Sequence, residues 1–126
     1  MNDQASNASV APTNVGLSHS GHAILKRLKE QGEFREMADA YRLGVVLALA
    51  LQVTPSQLKD KVTVFGVSTI DPHGKLRASI EIAYADPTES PYRLMELLAD
   101  WGVKELERRL GAGSLDLRDV MDATSA

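Results

Sequence analysis

The chain contains no cysteine among its 126 residues. This absence excludes a disulfide-stabilised scaffold, a zinc site with thiolate ligands and a thiol nucleophile. It also fits the reducing cytoplasm, which we expect as the location of this protein. Aromatic residues make up only 5% of the chain, so we expect a core of Leu, Val, Ile, Ala and Met side chains.

Long apolar runs are also missing. The most apolar stretch, LGVVLALAL over 43–51, is much shorter than the roughly 20 residues that a membrane-spanning helix needs. The polar start of the chain lacks the basic and apolar regions of a secretory signal, and it predicts a disordered extension over 1–13. A chain of this length favours one compact domain, which we place at 14–123. We expect no contact with a membrane.

Positive charge is in slight deficit, because 14 Lys and Arg residues face 17 Asp and Glu residues. The basic residues nevertheless cluster at Lys26, Arg27 and Lys29, with Arg35 close by. Such a cluster predicts contacts with the phosphates of a nucleic acid. The alternative is a solvated helix face, since several glutamates are interleaved with these four residues, and the region of the chain after residue 85 is acidic.

Helical patterns dominate the first half. Ser18 or Ser20 predicts the N-cap of a helix over 21–31, and Gly32 predicts its end. A second helix is predicted over 35–52. A candidate strand precedes both helices.

The second half of that second helix is apolar on every side. A small domain rarely surrounds such a helix, and an exposed apolar face is unfavourable in water. A second copy of the chain is the simplest cover. The sequence therefore predicts a homo-oligomer, a dimer or larger, whose interface contains Leu43, Val46, Leu47 and Ala50.

The middle of the chain is harder to interpret. Thr54-Pro55 predicts a short helical turn, and the β-branched residues over 62–70 predict a strand or an extended loop. Residues 71–84 fit either a helix capped by Asp71 or a hairpin strand that follows a DPHG turn. We favour the helix because of its Asp-Pro start and its alanine content.

A long helix is predicted to begin at Ser90-Pro91. Trp101 shares a face with Leu94 and Leu98, which predicts a mostly buried ring, whereas Glu96 and Asp100 are expected on the solvated polar face. Gly102 either lets another backbone approach closely or breaks the helix. Ser114 is predicted to cap a last short helix. The expected class is mainly α with minor β (α+β), with a strand-helix-helix N-terminal half and two or three further helices.

Motifs for catalysis are few. The sequence has no G-x-S-x-G elbow, no Walker loop and no G-x-G-x-x-G. His19 and His22 are expected to be exposed at a helix start, and we predict no metal and no cofactor. The sequence therefore predicts a protein that is not an enzyme. The alternative is a small enzyme whose site forms at a subunit interface, with Asp71, His73 and Tyr84 as its candidate residues.

The stretch 14–51 combines a short extended segment, a helix carrying ILKRLK, a glycine-containing turn and an apolar helix. This order resembles the ribbon-helix-helix arrangement, whose members are dimers with an intertwined strand pair. It is also similar to the DndE family of DNA phosphorothioation systems. A second similarity, to small proteins encoded beside such systems, rests on Phe34, Asp39, Ala40 and Trp101-Gly102-Val103.

These resemblances imply an oligomer-forming accessory or adaptor protein of a prokaryotic DNA-modification or defence system. Such a protein acts through a protein partner, through DNA, or through both. A ribbon-helix-helix DNA-binding regulator that contacts phosphates is the alternative. The candidate strand 13–17 contains neither Arg nor Lys, so we do not expect it to recognise individual bases.

Overall fold

The computed structural model describes residues 13–84 and 89–111. Within these ranges the chain is mainly helical with one small antiparallel sheet, which agrees with the expected α+β class. The elements follow in the order β1 (Asn14–Leu17), α1 (His19–Glu30), α2 (Met37–Ala50), β2 (Val62–Gly66), α3 (Val67–Ile70), α4 (Lys75–Ala83) and α5 (Pro91–Gly111). The predicted extension before residue 13 and the predicted helix after Ser114 lie outside the described residues.

Helix α1 begins and ends where local sequence signals predicted. The Ser18 hydroxyl accepts a hydrogen bond from the amide of Gly21 at 3.0 Å, which makes Ser18 the N-cap. At the other end Gly32 has a φ of 77°, and the amide of Glu33 donates to the carbonyl of Leu28 at 3.0 Å. This is a Schellman termination, which favours glycine because of the positive φ.

Helix α2 ends in the same way, but with Gln52 at the left-handed position, where φ is 51°. The amide of Val53 donates to the carbonyl of Ala48 at 3.2 Å. The predicted helical turn at Thr54-Pro55 is wrong, because residues 53–58 form neither helix nor strand. The Tyr84 hydroxyl donates to the carbonyl of Val53 at 2.6 Å, which fixes the chain as it leaves the cap.

Helices α2 and α5 meet backbone against backbone at two glycines. A Cβ on Gly102 would lie 2.0 Å from the carbonyl oxygen of Gly44, and a Cβ on Gly44 would lie 3.0 Å from the amide of Val103. Helix α5 continues through this point, so Gly102 permits a close approach and does not break the helix. The chain itself therefore covers much of α2, including the fully buried Val45 and Leu47.

The sheet contains β1 and β2 in antiparallel register, with Asn14 opposite Gly66 and Leu17 opposite Val62. The register shifts by one residue between Val15 and Gly16. The strand predicted over 62–70 is confirmed for its first five residues, and the chain then turns into the short helix α3. Because β1 pairs with a strand of its own chain, the ribbon-helix-helix arrangement is not confirmed.

The favoured helix within 71–84 is confirmed as α4. Both carboxylate oxygens of Asp71 accept hydrogen bonds from the helix start, at the amides of Leu76 and Arg77, each at 3.0 Å. The core side of α4 is occupied by Ile80, whereas Ile82 is 82% exposed. None of the described helices has the length and hydropathy needed to cross a membrane.

Candidate functional site

The outer edge of β1, opposite β2, is covered by side chains of α5. Glu96 accepts a hydrogen bond from the amide of Gly16 at 2.9 Å, and Arg93 donates to the carbonyl of Asn14 at 2.6 Å. The expectation that Glu96 lies on a solvated face is wrong, because the residue is only 3% exposed. A buried backbone amide needs an acceptor, and a carboxylate from α5 supplies it.

Asp100 has the same role as Glu96, about one helical turn further along α5. One of its oxygens accepts from both the amide of Ser18, at 3.0 Å, and the hydroxyl of Ser18, at 2.7 Å. The other oxygen lies 2.9 Å from the ammonium group of Lys104. Asp100 was also expected to be solvated and is 6% exposed. Its carboxylate thus joins the end of β1 to the start of α1.

The negative charge of Glu96 is balanced by two cations. Arg93 donates to both carboxylate oxygens, at 2.8 and 2.9 Å, and the ammonium group of Lys61 lies 3.3 Å away. These two cations compensate the charge of a carboxylate that lies beneath the surface. The arrangement ties α5 to the residue that precedes β2.

Tyr41, on α2, also binds the outer edge of β1. Its buried hydroxyl donates to the carbonyl of Gly16 at 3.2 Å, and its ring meets that of Phe65 edge to face, with 5.3 Å between the centroids. Burial raises the pKa of the Tyr41 hydroxyl well above its usual value, and the nearby charge of Glu96 acts in the same direction. The hydroxyl therefore stays protonated and remains a donor.

A cleft lies between α5 and the irregular segment 56–61. Its larger portion has a volume of about 440 Å³ and its smaller portion about 210 Å³. The two portions share Gln57, Leu58 and Leu97 as lining residues, so they lie side by side, and we call them together the α5 cleft. It is the candidate functional site because it combines an apolar floor with charged walls.

Trp101 lines the larger portion of the α5 cleft. The residue packs against the core and is mostly covered, as predicted, but unlike Leu94 and Leu98 on the same helix it keeps a minor exposed fraction. The exposed part of the residue lies where Trp101 lines the cleft. A partly exposed indole beside a depression is a typical contact for a bound molecule.

The carboxylates that line the α5 cleft already have partners. Besides Glu96 and Asp100, Asp60 accepts from the amide of His19 at 2.8 Å and lies 3.0 Å from its Nδ1. These hydrogen bonds lower the pKa of the Asp60 carboxyl. The remaining carboxylate, on Glu89, accepts from the side-chain amide of Gln57 at 3.2 Å.

The lysine side chains that line the cleft have hydrogen-bond donors that are not used within the chain's described residues. Lys59 makes no hydrogen bond or ion pair with any described residue. Lys61 and Lys104 each contact one carboxylate and keep 40% and 46% of their side chains exposed. An ammonium group offers three donors. The three lysines of the cleft therefore keep hydrogen-bond donors that are accessible to a bound molecule.

The four predicted phosphate-contacting residues lie apart from the α5 cleft. Lys26, Arg27 and Lys29 are exposed on α1, and Arg35 lies in the connection to α2. Arg27 is 2.6 Å from a carboxylate oxygen of Glu107, and Lys29 is 3.9 Å from one of Glu36. Lys26 and Arg35 form no ion pair with the residues that the structure describes. Nucleic-acid contact through these four residues stays a prediction.

The predicted oligomer interface is partly covered within one chain. Leu43, Val46 and Ala50 remain partly exposed on α2, but Leu47 is completely buried in the core of its own chain. The close contact between α2 and α5 explains this difference, since it brings α5 over the face of α2 that carries Gly44. The three partly exposed residues remain candidates for an interface.

The residues considered for an enzyme have separate roles. Asp71 binds the start of α4 and accepts from the Tyr92 hydroxyl at 3.1 Å, whereas Tyr84 binds the carbonyl of Val53. His73 is exposed in the turn before α4. Burial raises the pKa of Tyr84, which opposes its use as a base near neutral pH.

The two histidines at the start of α1 do not form a metal centre with other described residues, among which no group of three potential ligands occurs. His19 pairs with Asp60, as described above. The pKa of the His22 imidazole is lowered by burial and, to a smaller extent, by Lys26. His22 is therefore neutral near pH 7.

Sequence patterns did not reveal the α5 cleft, because its walls come from α5 and from a segment about 40 residues earlier. The one available signal was Trp101, a large aromatic residue between Asp100 and Lys104 on a polar stretch of the helix. No protein-family model, curated protein or solved structure matches this chain.

Proposed function

We propose that this protein is a non-enzymatic adaptor that binds a segment of a partner protein in the α5 cleft. The observation that carries the proposal is the position of Trp101, which lines a depression of about 440 Å³ and is not fully covered by its own chain. Binding sites in proteins often centre on such an aromatic residue, because covering it removes a large apolar surface from water.

The roles of the buried carboxylates support binding in preference to catalysis. Glu96, Asp100 and Asp71 each accept hydrogen bonds from backbone amides. A general acid or base needs a carboxyl group that can exchange protons with a substrate. These three carboxylates instead hold strand β1 and helices α1 and α4 in place.

The proposed setting is a prokaryotic DNA-modification or defence system in the cytoplasm, in which the protein acts as an oligomer-forming accessory. This setting rests on the resemblance of 14–51 to the DndE family and to the ribbon-helix-helix arrangement. The partly exposed stripe of Leu43, Val46 and Ala50 on α2 is the proposed contact between copies. Covering that stripe would bury apolar surface that α5 leaves accessible.

A DNA-binding regulator is the second candidate, and it is favoured by Lys26 and Arg35, which are exposed and form no ion pair within 13–84 and 89–111. Contacts through these side chains would reach phosphates, so binding would fall steeply with salt and would not depend on sequence. A gel shift at low and moderate salt tests it. No retardation at about 50 mM salt would leave the adaptor as the better proposal.

The adaptor proposal is tested with dye labels at engineered cysteines, since the chain has none of its own. Full-length protein carrying Ser56→Cys, at the cleft, is labelled with an environment-sensitive dye and titrated with each purified subunit of a DNA phosphorothioation complex. We expect one subunit to change the dye signal. The matched label at Ser79→Cys, on the exposed side of α4, should not respond.

The substitution Trp101→Ala should weaken this binding about tenfold, as is typical of a central aromatic contact, while circular dichroism shows that the helices remain. Binding that is unaffected by this substitution, or a response only at the Ser79→Cys label, would contradict the assignment of the cleft. If no subunit binds, the proposed setting is wrong.

A further inference from the structure

We infer that the α5 cleft selects an acidic segment of a partner protein, in which carboxylate side chains flank an apolar side chain. This inference rests on the proposed adaptor function and names the chemistry of its partner. The apolar side chain would contact Trp101, Leu58 and Leu97, which line the larger portion of the cleft.

The first argument is the distribution of free hydrogen-bonding capacity. Glu96 and Asp100 lie beneath the surface, with 4% and 8% of their side chains exposed, and all four of their oxygens have partners. By contrast, Lys59 has no partner among the described residues, and Lys104 uses one donor of three. A bound segment that carries acceptors can therefore use these ammonium groups.

The second argument comes from the smaller portion of the cleft. Lys61 and Arg93 line it, and the Nε atom of Arg93 is buried without a hydrogen-bond partner among the described residues. A buried donor without an acceptor is unfavourable. The Nε atom itself is not accessible from the cleft, so the donor that this portion offers to a ligand is the ammonium group of Lys61, which keeps 40% of its side chain exposed.

A peptide fits these observations better than a nucleic acid does. Asp60 and Glu89 also line the cleft and carry negative charge, and the chain as a whole has a net charge of −3. A nucleic acid brings a phosphate with every nucleotide and would meet these carboxylates along its length. A peptide can place two or three carboxylates beside the lysines and leave the remaining positions neutral.

The experiment is a selection of random peptides displayed on phage against the full-length protein. We expect the enriched sequences to contain Asp or Glu on both sides of a Leu, Ile, Met or aromatic residue. One enriched peptide is then synthesised and titrated, with the fluorescence of Trp101 as the readout, because Trp101 is the only tryptophan in the chain.

The substitution Lys59→Glu tests the charge contribution, and Lys75→Glu is its matched control, since Lys75 is an exposed lysine at the start of α4, outside the cleft. We expect Lys59→Glu to weaken binding of the selected peptide about tenfold, because it replaces an attraction by a repulsion at the cleft. Lys75→Glu should leave the affinity within about twofold. Equal effects of the two substitutions would overturn the inference.

The remaining outcomes separate this inference from the adaptor proposal. Enriched peptides that need Trp101 but have no excess of acidic residues would overturn the acidic chemistry and leave the adaptor function standing. Failure to enrich any peptide would overturn both. Enriched sequences that match residues 112–126 of this chain would assign the cleft to its own C-terminal segment and would overturn the inference of a separate partner.

Discussion

The backbone groups on the two edges of strand β1 have different kinds of hydrogen-bond partner. On one edge β1 pairs with the backbone of β2 in antiparallel register. On the other edge its backbone groups, with the adjoining amide of Ser18, bind the side chains of Arg93, Glu96, Asp100 and Tyr41. Backbone pairing depends little on which residues are present, whereas the second edge depends on four particular side chains. The strand is therefore far more sensitive to substitution on one side than on the other.

The difference also bears on how the chain could assemble. An open strand edge is a template for pairing with another chain. The side chains of α5 and α2 close the outer edge of β1, so a second copy could pair there only if those hydrogen bonds were first broken. The following substitutions separate the two edges.

The largest effect is expected for Glu96→Ala. This substitution removes a hydrogen-bond acceptor from the outer edge of β1, which is bound by side chains. It leaves the amide of Gly16 without an acceptor and Arg93 without its counter-ion, and removal of one partner of a buried ion pair typically costs about 4 kcal/mol. Chemical denaturation measures the loss. The control Glu107→Ala removes an exposed partner of Arg27 and should cost about 0.5 kcal/mol. Similar losses for both would mean that Glu96 does not hold the edge.

The second-largest effect is expected for Gly16→Ala, which disturbs the pairing of β1 with β2. The added Cβ would lie 2.1 Å from the carbonyl oxygen of Val62, so the strands must separate locally, at a cost of about 2–3 kcal/mol. Gly66→Ala is the matched control, because the nearest atom to its Cβ is 3.9 Å away. Amide hydrogen exchange should show faster exchange at Val15 in the first variant only. Unchanged exchange there would contradict the proposed clash.

A smaller effect is expected for Tyr41→Phe, which removes one hydrogen bond from the outer edge of β1. The loss of the bond to the carbonyl of Gly16 should cost about 1 kcal/mol at neutral pH. The same variant should change the pH dependence. Because the pKa of Tyr41 is raised on folding, the native state holds this proton more tightly. Its contribution is complete below the unfolded pKa, about 10, and is lost as the pH rises towards the folded value.

Denaturation curves between pH 9 and 11 test the direction of this change in stability with pH. The wild type should lose stability more steeply than Tyr41→Phe across that range. Some dependence should remain in the variant, because burial also raises the pKa of Tyr92 and Tyr84. A variant with the same alkaline slope as the wild type would show that the Tyr41 hydroxyl does not titrate differently on folding.

For Asn14→Cys we expect no effect, that is, no disulfide-linked dimer. A closed outer edge keeps copies of β1 apart, and the chain has no other cysteine that could react. Oxidation should therefore give no disulfide-linked dimer on a non-reducing gel. Rapid formation of such a dimer would mean that β1 strands pair between copies, as in a ribbon-helix-helix protein.

Local signals in the sequence were reliable where one or two neighbouring residues decide the structure. Ser18 caps α1 and Gly32 ends it, as predicted, whereas Asp71 binds the start of α4 but is not its N-cap, which is Gly74. Each of these features depends on hydrogen bonds between residues at most six positions apart. The helical turn at Thr54-Pro55 was predicted on the same kind of signal and is absent, since residues 53–58 form neither helix nor strand.

Features that depend on distant partners were not predictable in the same way. The hydrogen bond between Glu96 and Gly16 joins residues 80 positions apart, so the spacing of charges on α5 gave the wrong face for Glu96. The cover of α2 depends on the contact between Gly44 and Gly102, and the cleft beside Trp101 depends on where the segment 56–61 packs. Helical periodicity carries none of this information.

Three consecutive residues of α5 face three different neighbours. Asp100 binds the start of α1, Trp101 lines the cleft, and Gly102 touches α2. A shift of one residue along a helix moves it about 1.5 Å and rotates it by roughly 100°, which would misplace all three contacts at once. The helix therefore has a single permitted register. Any change that moved α5 along or about its axis at Trp101 would therefore disturb the start of α1 and the crossing with α2 at the same time.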